Sequence, residues 1–85
     1  MKSFTYTITD PVGIHARPAG DLVATAKKFA SDITIEANGK SAKAKKLIAL
    51  MGLGVKQGME ITVRAEGADE DAAAEGLETF LKENM

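Results

Sequence analysis

The dipeptide Asn38-Gly39 constrains the fold of this 85-residue chain more than any other feature, because it joins two segments that alternate between apolar and polar residues. A two-residue type I′ turn needs positive φ at both positions, and Asn-Gly meets that need well. Alternation runs from Ile33 to Ala37 before the turn and from Lys40 to about Ala44 after it. The sequence therefore predicts an antiparallel hairpin at this point.

The rest of the chain repeats two kinds of hydrophobic pattern. A period of two recurs from Phe4 to Ile8 and from Ile61 to Ala65, so we expect four strands in all. Helical spacing of apolar residues runs from about Ala16 to about Phe29. The apolar run LIALM at residues 47–51 predicts one and a half helical turns that depend on tertiary contacts.

The last predicted helix follows GADEDA at residues 67–72, whose three acidic residues suit the positive end of a helix dipole. Gly76 within this helix costs about 1 kcal/mol relative to Ala, so we expect a packing reason for it. The apolar face is made by Ala73, Leu77, Phe80 and Leu81. The order is then β-α-β-β-α-β-α. Each strand has one apolar face, so we expect an α+β fold: a largely antiparallel sheet with helices on one side and water on the other.

Composition sets the broad class of protein. The length suits a single domain over residues 1–85, and 45% apolar with 27% charged residues is typical of a soluble globular chain. The net charge of −1 gives no reason to expect nucleic acid or a membrane surface as a partner. The absence of cysteine excludes disulfides and thiolate chemistry and is compatible with a reducing cytosol. No apolar run approaches a signal peptide or a membrane span, so we expect no membrane insertion.

His15 is the only histidine, and it lies in GIHARPAG at residues 13–20, where the first helix is about to begin. The first N–H groups of a helix have no intrahelical partner, so an anion beside residues 15–17 would be stabilised. Arg17 adds a guanidinium that can meet phosphate oxygens. The same positive field disfavours imidazolium, so we expect the pKa of His15 to lie below about 6.5. A neutral imidazole is nucleophilic and can hold a phosphoryl group as N-phosphohistidine.

The residues alone leave other interpretations of His15 open. A lone histidine in a small domain is commonly a surface or partly buried structural residue. A helix N-cap is possible, although Ser, Thr, Asp and Asn cap better. A metal site is poorly supported, because one histidine without cysteine rarely makes one. No G-x-S-x-G hydrolase motif occurs, and the glycines at residues 52–58 miss the dinucleotide-binding fingerprint by their spacing.

GIHARPAG resembles the active-site motif of the HPr family, the histidine-containing phosphocarriers of the bacterial phosphoenolpyruvate-dependent sugar phosphotransferase system. The similarity extends to SDITIEANGK, LIALMGLGV and GMEITVRAEGADE, and so covers nearly the whole chain. The resemblance implies an open-faced β-sandwich, with the first, fourth, second and third strands adjacent in that order and three helices on one face. It also implies that His15 accepts a phosphoryl group on Nδ1 from phosphorylated enzyme I and passes it to enzyme IIA domains of sugar permeases. Ala16 and Arg17 would bind the phosphate.

The resemblance further implies that partners dock on the first helix and on the short second helix. LIALM holds more apolar side chains than so short a helix needs to bury, so we expect about half of them in the core and the rest in an exposed patch. The candidate partner-binding residues are Gly20, Thr25, Lys27, Leu47, Ile48, Met51 and Gly54.

One position departs from the family pattern. Many members carry a serine immediately before the short second helix, which a dedicated kinase phosphorylates in some bacteria, and this chain has Lys46 there. Lysine has no hydroxyl, so our hypothesis is that this kinase cannot switch the chain. We expect a cytoplasmic, monomeric, stoichiometric carrier rather than an enzyme, with no cofactor and no metal. A regulatory docking protein of the same fold and a nitrogen-related phosphotransferase paralogue remain the alternatives.

Overall fold

Within the described residues, seven helices and strands occur in the predicted order. The computed structural model describes residues 2–9 and 16–84, with side chains from residue 19 onward in the second range. The strands are β1 (Lys2–Thr7), β2 (Asp32–Ala37), β3 (Lys40–Lys43) and β4 (Glu60–Glu66). The helices are α1 (Ala16–Ala26), α2 (Leu47–Met51) and α3 (Glu70–Asn84).

The four strands form one antiparallel sheet in the order β1-β4-β2-β3, which confirms the order that the resemblance implied. The β2–β3 hairpin closes with Ala37 opposite Lys40. Asn38 and Gly39 take φ values of 57° and 73°, as a type I′ turn requires. β4 pairs with β1 on one side and with β2 on the other, so the strand that comes last in the chain lies inside the sheet.

Period-two alternation decides which face of the sheet is buried. Ile33, Ile35 and Ala37 of β2 are buried, as are the alternate residues of β4 and the apolar stripes of α1 and α3. The other face is polar: Glu36 forms an ion pair there with Arg64 on the neighbouring strand. The helices therefore cover one face only, which confirms the open-faced sandwich.

α1 ends at Ala26, so the predicted extension to Phe29 was wrong by three residues. The last turn tightens, because the N–H groups of Lys28 and Phe29 bond to carbonyls three residues back, at 3.1 and 3.2 Å. The carbonyl of Phe29 then accepts a hydrogen bond from the Lys45 Nζ at 2.8 Å. The carbonyl of Phe29 thus bonds to a side chain from a distant part of the chain instead of to a further helical N–H group.

Asp69 holds the segment after α1 against the start of α3. Its carboxylate accepts hydrogen bonds from the N–H groups of Ala30 and Ser31, each at 2.9 Å, and from the Ser31 hydroxyl. The hydroxyl first, and then the N–H of Ala30, lower the pKa of Asp69, because these bonds favour the carboxylate. Gly67 allows the close approach: its φ is 152°, and a Cβ there would lie 2.8 Å from the Ser31 Cα.

Gly76 has the packing reason that the sequence predicts. A Cβ on this residue would lie 2.7 Å from Cζ of Phe29, whose ring packs against the core at the α1–α3 contact. Glycine is therefore unfavourable for the helix itself at this position, but it leaves space for the ring of Phe29.

Candidate functional site

His15 lies outside the described residues, and the structure gives the backbone but not the side chains of Ala16 and Arg17. What the structure does fix is the position of α1, which begins at Ala16, directly after His15. The first N–H groups of this helix have no intrahelical acceptor, and the described first turn holds no acidic residue. The helix start predicted from the sequence is confirmed at this end.

The core holds α1 firmly in place. Ala19, Leu22, Val23 and Ala26 are buried along one stripe, and the helix packs against both α2 and α3. The same stripe leaves the other candidate residues toward solvent: Gly20 and Thr25 are half-buried, and Lys27 is exposed just after the helix. A helix held in this way presents its N-terminus at a fixed place in the fold.

α2 presents an apolar patch, which we define as Leu47, Ile48 and Met51. They are 37%, 81% and 42% exposed, whereas Leu50 in the same helix is fully buried. The prediction that half of the run would be core was therefore wrong, since only one of the four large apolar side chains is buried. A helix of five residues has only one side toward the sheet, and Leu50 fills it.

Contacts beyond the helix fix how α2 displays this patch. Leu53 and Val55 follow Leu50 into the core. The side-chain amide of Asn38, in the hairpin turn, donates a hydrogen bond to the Leu53 carbonyl at 3.0 Å. Gly54, the remaining candidate, lies after the end of α2, is exposed and has a φ of 67°. Because α1 and α2 pack against each other, candidate residues on both helices belong to one layer of the fold.

Lys46 occupies the N-cap position of α2 without capping it. Its backbone is extended (φ −116°, ψ 103°), and its side chain makes no cap hydrogen bond. Lysine offers only donors, so it cannot accept from the free N–H groups of the first turn. The side chain is exposed beside the apolar patch and places a positive charge at its edge.

The sheet order, the three helices on one face and a lone histidine directly before α1 together define the class of open-faced β-sandwich phosphocarriers. A scan against protein families matches residues 2–83 to PTS-HPr, described as the PTS HPr component phosphorylation site. The chain belongs to the HPr family of phosphocarriers of the phosphotransferase system, which confirms the resemblance seen in the sequence.

Individual relatives agree over almost the whole length. The phosphocarrier protein HPr of Lysinibacillus sphaericus is 49% identical over 83 residues, which cover 98% of this chain and 94% of that protein. A structure of the histidine-containing phosphocarrier protein of Mycoplasma has a TM-score of 0.93 at 41% identity, covering 96% of this chain and 93% of that one. An HPr dimer from Thermoanaerobacter tengcongensis has a TM-score of 0.78 at 41% identity, with coverage of 98% and 95%.

Among residues 2–9 and 16–84, no helix has the length and apolar character needed to cross a bilayer. Within the same ranges no three His, Cys, Asp or Glu side chains come together in a way that could hold a metal ion.

The sequence did not predict two contacts that position the site. One is the hydrogen-bonded cluster of Asp69 with Ser31, and the other is the hydrogen bond from Lys45 to Phe29. Each joins residues far apart in the chain, by 38 and 16 positions respectively. The acidic residues at the start of α3 did predict a helix start, but nothing in their spacing indicates that Asp69 bonds to another loop. A local pattern cannot reveal such a pairing.

Proposed function

We propose that the chain carries a phosphoryl group on His15, accepting it from phosphorylated enzyme I and donating it to enzyme IIA domains. The observation that carries this proposal is the family match over residues 2–83, a range that includes the only histidine in the chain. The start of α1 at Ala16 adds physical support, because the first N–H groups of a helix, which lack an intrahelical partner, follow directly after this residue.

The proposed chemistry consists of two phosphoryl transfers, one to His15 and one from it. The lone pair on Nδ1 of a neutral His15 ring attacks the phosphorus of phosphorylated enzyme I, a P–N bond forms, and the bond from phosphorus to enzyme I breaks. In the second transfer a nucleophile on enzyme IIA attacks the same phosphorus, and the electron pair of the P–N bond returns to Nδ1. The helix N-terminus and Arg17 stabilise the negative oxygens in both steps. In each transfer the chain is itself a reactant that gains or gives up one phosphoryl group, so we propose a stoichiometric carrier rather than an enzyme.

Docking would use the apolar patch of α2 together with the exposed side of α1. Exposed apolar groups of this size on a small protein commonly mark an interface. Leu47, Ile48 and Met51 would supply the apolar contact, while Gly20, Thr25, Lys27 and Gly54 would lie at its border. Leu50 anchors α2 in the core, and the side chains of Leu47, Ile48 and Met51 keep an exposed surface that a partner can contact.

The experiment combines the purified chain with enzyme I and phosphoenolpyruvate, and measures acid-labile, alkali-stable phosphate on the chain. We expect one phosphoryl group per chain, no label on His15→Ala, and slower labelling of Arg17→Ala. Adding an enzyme IIA domain should then remove the label. A His15→Ala variant that still takes up acid-labile phosphate would refute the assignment.

The two alternative functions make different predictions in the same assay. A purely regulatory docking protein would bind partners without labelling. A nitrogen-related paralogue would accept phosphate only from a different enzyme I. We further propose that residues 1–85 form one domain and that the chain is a cytoplasmic monomer which the serine kinase cannot switch, because Lys46 lacks a hydroxyl. Light scattering distinguishes this from the dimeric state known for the Thermoanaerobacter tengcongensis protein.

A further inference from the structure

The two methionines in the described part of the chain have different surroundings. Met51 ends α2 and is 42% exposed within the apolar patch. Met59 packs against the core, and its sulfur accepts a hydrogen bond from the Lys56 N–H at 3.2 Å. Met59 is only partly buried, but a thioether that is more open to solvent is attacked by oxidants more readily than one that is partly covered and hydrogen-bonded.

Met51 is not one of the buried residues that form the core. α2 is anchored by Leu50 and by the buried residues that follow it, Leu53 and Val55. A chemical change at the Met51 sulfur therefore alters the patch without opening the core. This separates Met51 from a core methionine, whose oxidation would disrupt the packing around it.

We propose that Met51 is a reversible oxidation site that regulates phosphoryl transfer by weakening docking at the apolar patch; this rests on the proposed function. Hydrogen peroxide supplies the oxygen: its O–O bond breaks, an S–O bond forms, the sulfur loses two electrons, and water leaves. In the reverse step two thiols of a sulfoxide reductase give back two electrons, forming a disulfide and water.

The effect on docking follows from the polarity of the product. A sulfoxide oxygen buried against an apolar partner surface loses its hydrogen bonds to water and gains none in return. A loss of about tenfold in affinity is expected from one such group. Because the phosphoryl chemistry occurs at His15, the change appears as a higher KM for the chain as substrate of enzyme I, at an unchanged maximal rate.

The first test measures where oxidation occurs. The folded chain is treated with hydrogen peroxide, and peptide mass spectrometry follows the conversion of each methionine with time. We expect Met51 to convert several-fold faster than Met59, with no change in the urea midpoint of unfolding. Conversion of Met59 at an equal or greater rate would overturn the proposal.

The second test measures transfer from enzyme I before and after treatment, with each protein compared with its own untreated form. The wild type should lose about tenfold in kcat/KM and recover it with methionine sulfoxide reductase. Met51→Leu should be insensitive to treatment, while the matched Met59→Leu should lose as much as the wild type. An untreated chain that accepts no phosphate overturns the proposed function itself. A treated chain that transfers as fast as before overturns only the oxidation site.

Discussion

The same substitution, glycine to alanine, is predicted to have unequal effects in two helices of this fold. Alanine gains about 0.5–1 kcal/mol over glycine inside a helix. At Gly20 in α1 no atom of the described residues lies within 4 Å of the added Cβ, so Gly20→Ala should stabilise the chain by that amount. At Gly76 in α3 the Cβ would lie 2.7 Å from Cζ of Phe29, and overpacking of this kind costs about 1–3 kcal/mol.

The difference between the two variants isolates the contact, because the gain in helix propensity is common to both. Urea unfolding should therefore show Gly76→Ala to be less stable than Gly20→Ala by about 1–3 kcal/mol, at an unchanged m-value. A double-mutant cycle supplies the control: in a Phe29→Ala background, Gly76→Ala should become stabilising, since the ring that it meets is gone. Equal stabilities of Gly20→Ala and Gly76→Ala would refute the packing explanation.

Four other substitutions give separable outcomes. Ile48→Ala should leave the free energy of unfolding within about 0.5 kcal/mol of the wild type, yet raise the KM of the chain as substrate of enzyme I about tenfold. Leu50→Ala should instead cost about 2–5 kcal/mol of stability in urea unfolding, because its side chain is fully buried. A reversed pattern would contradict the assignment of the patch. Lys46→Ser should raise the free energy of unfolding by about 0.5–2 kcal/mol, because serine can cap α2. Only this variant should be labelled by the serine kinase, and labelling of the wild type would refute the hypothesis on Lys46. Folding lowers the pKa of Asp69, so its hydrogen bonds stabilise the chain fully at a pH above the pKa of the unfolded chain, which is about 4. This stabilisation is lost as the pH falls toward the lower pKa of Asp69 in the folded chain. Asp69→Asn should therefore flatten the loss of stability below about pH 4, measured by unfolding at each pH, and an unchanged slope would exclude this role.

The sequence predicted the elements of the fold better than the places where they end. Hydrophobic period located all four strands, and Asn38-Gly39 identified the hairpin, because both signals are local. The end of α1 escaped, since Lys45 and Asp69 redirect the chain there from distant positions. The sheet order also came from the family resemblance rather than from the pattern, because strand alternation says which face is buried and not which strand lies beside which.

For the site, the sequence singled out the histidine and the helix that follows it. The sequence could not say how many of the apolar side chains at residues 47–51 are buried. A helix this short is close to the core at every position, so its apolar pattern does not show which side chains face inward. The structure resolves this by burying Leu50 alone and leaving Leu47, Ile48 and Met51 open. The oxidation site at Met51 follows from that exposure, and no sequence motif indicates it.

A nitrogen-15 NMR spectrum of the His15 ring, recorded during a pH titration and again after phosphorylation by enzyme I, tests the central claim most directly. The account predicts that the free ring titrates below about pH 6.5, and that the phosphorylated ring shows phosphorus coupling at Nδ1. A ring that titrates above this value, or one whose nitrogens are unchanged when the chain carries phosphate, would contradict it.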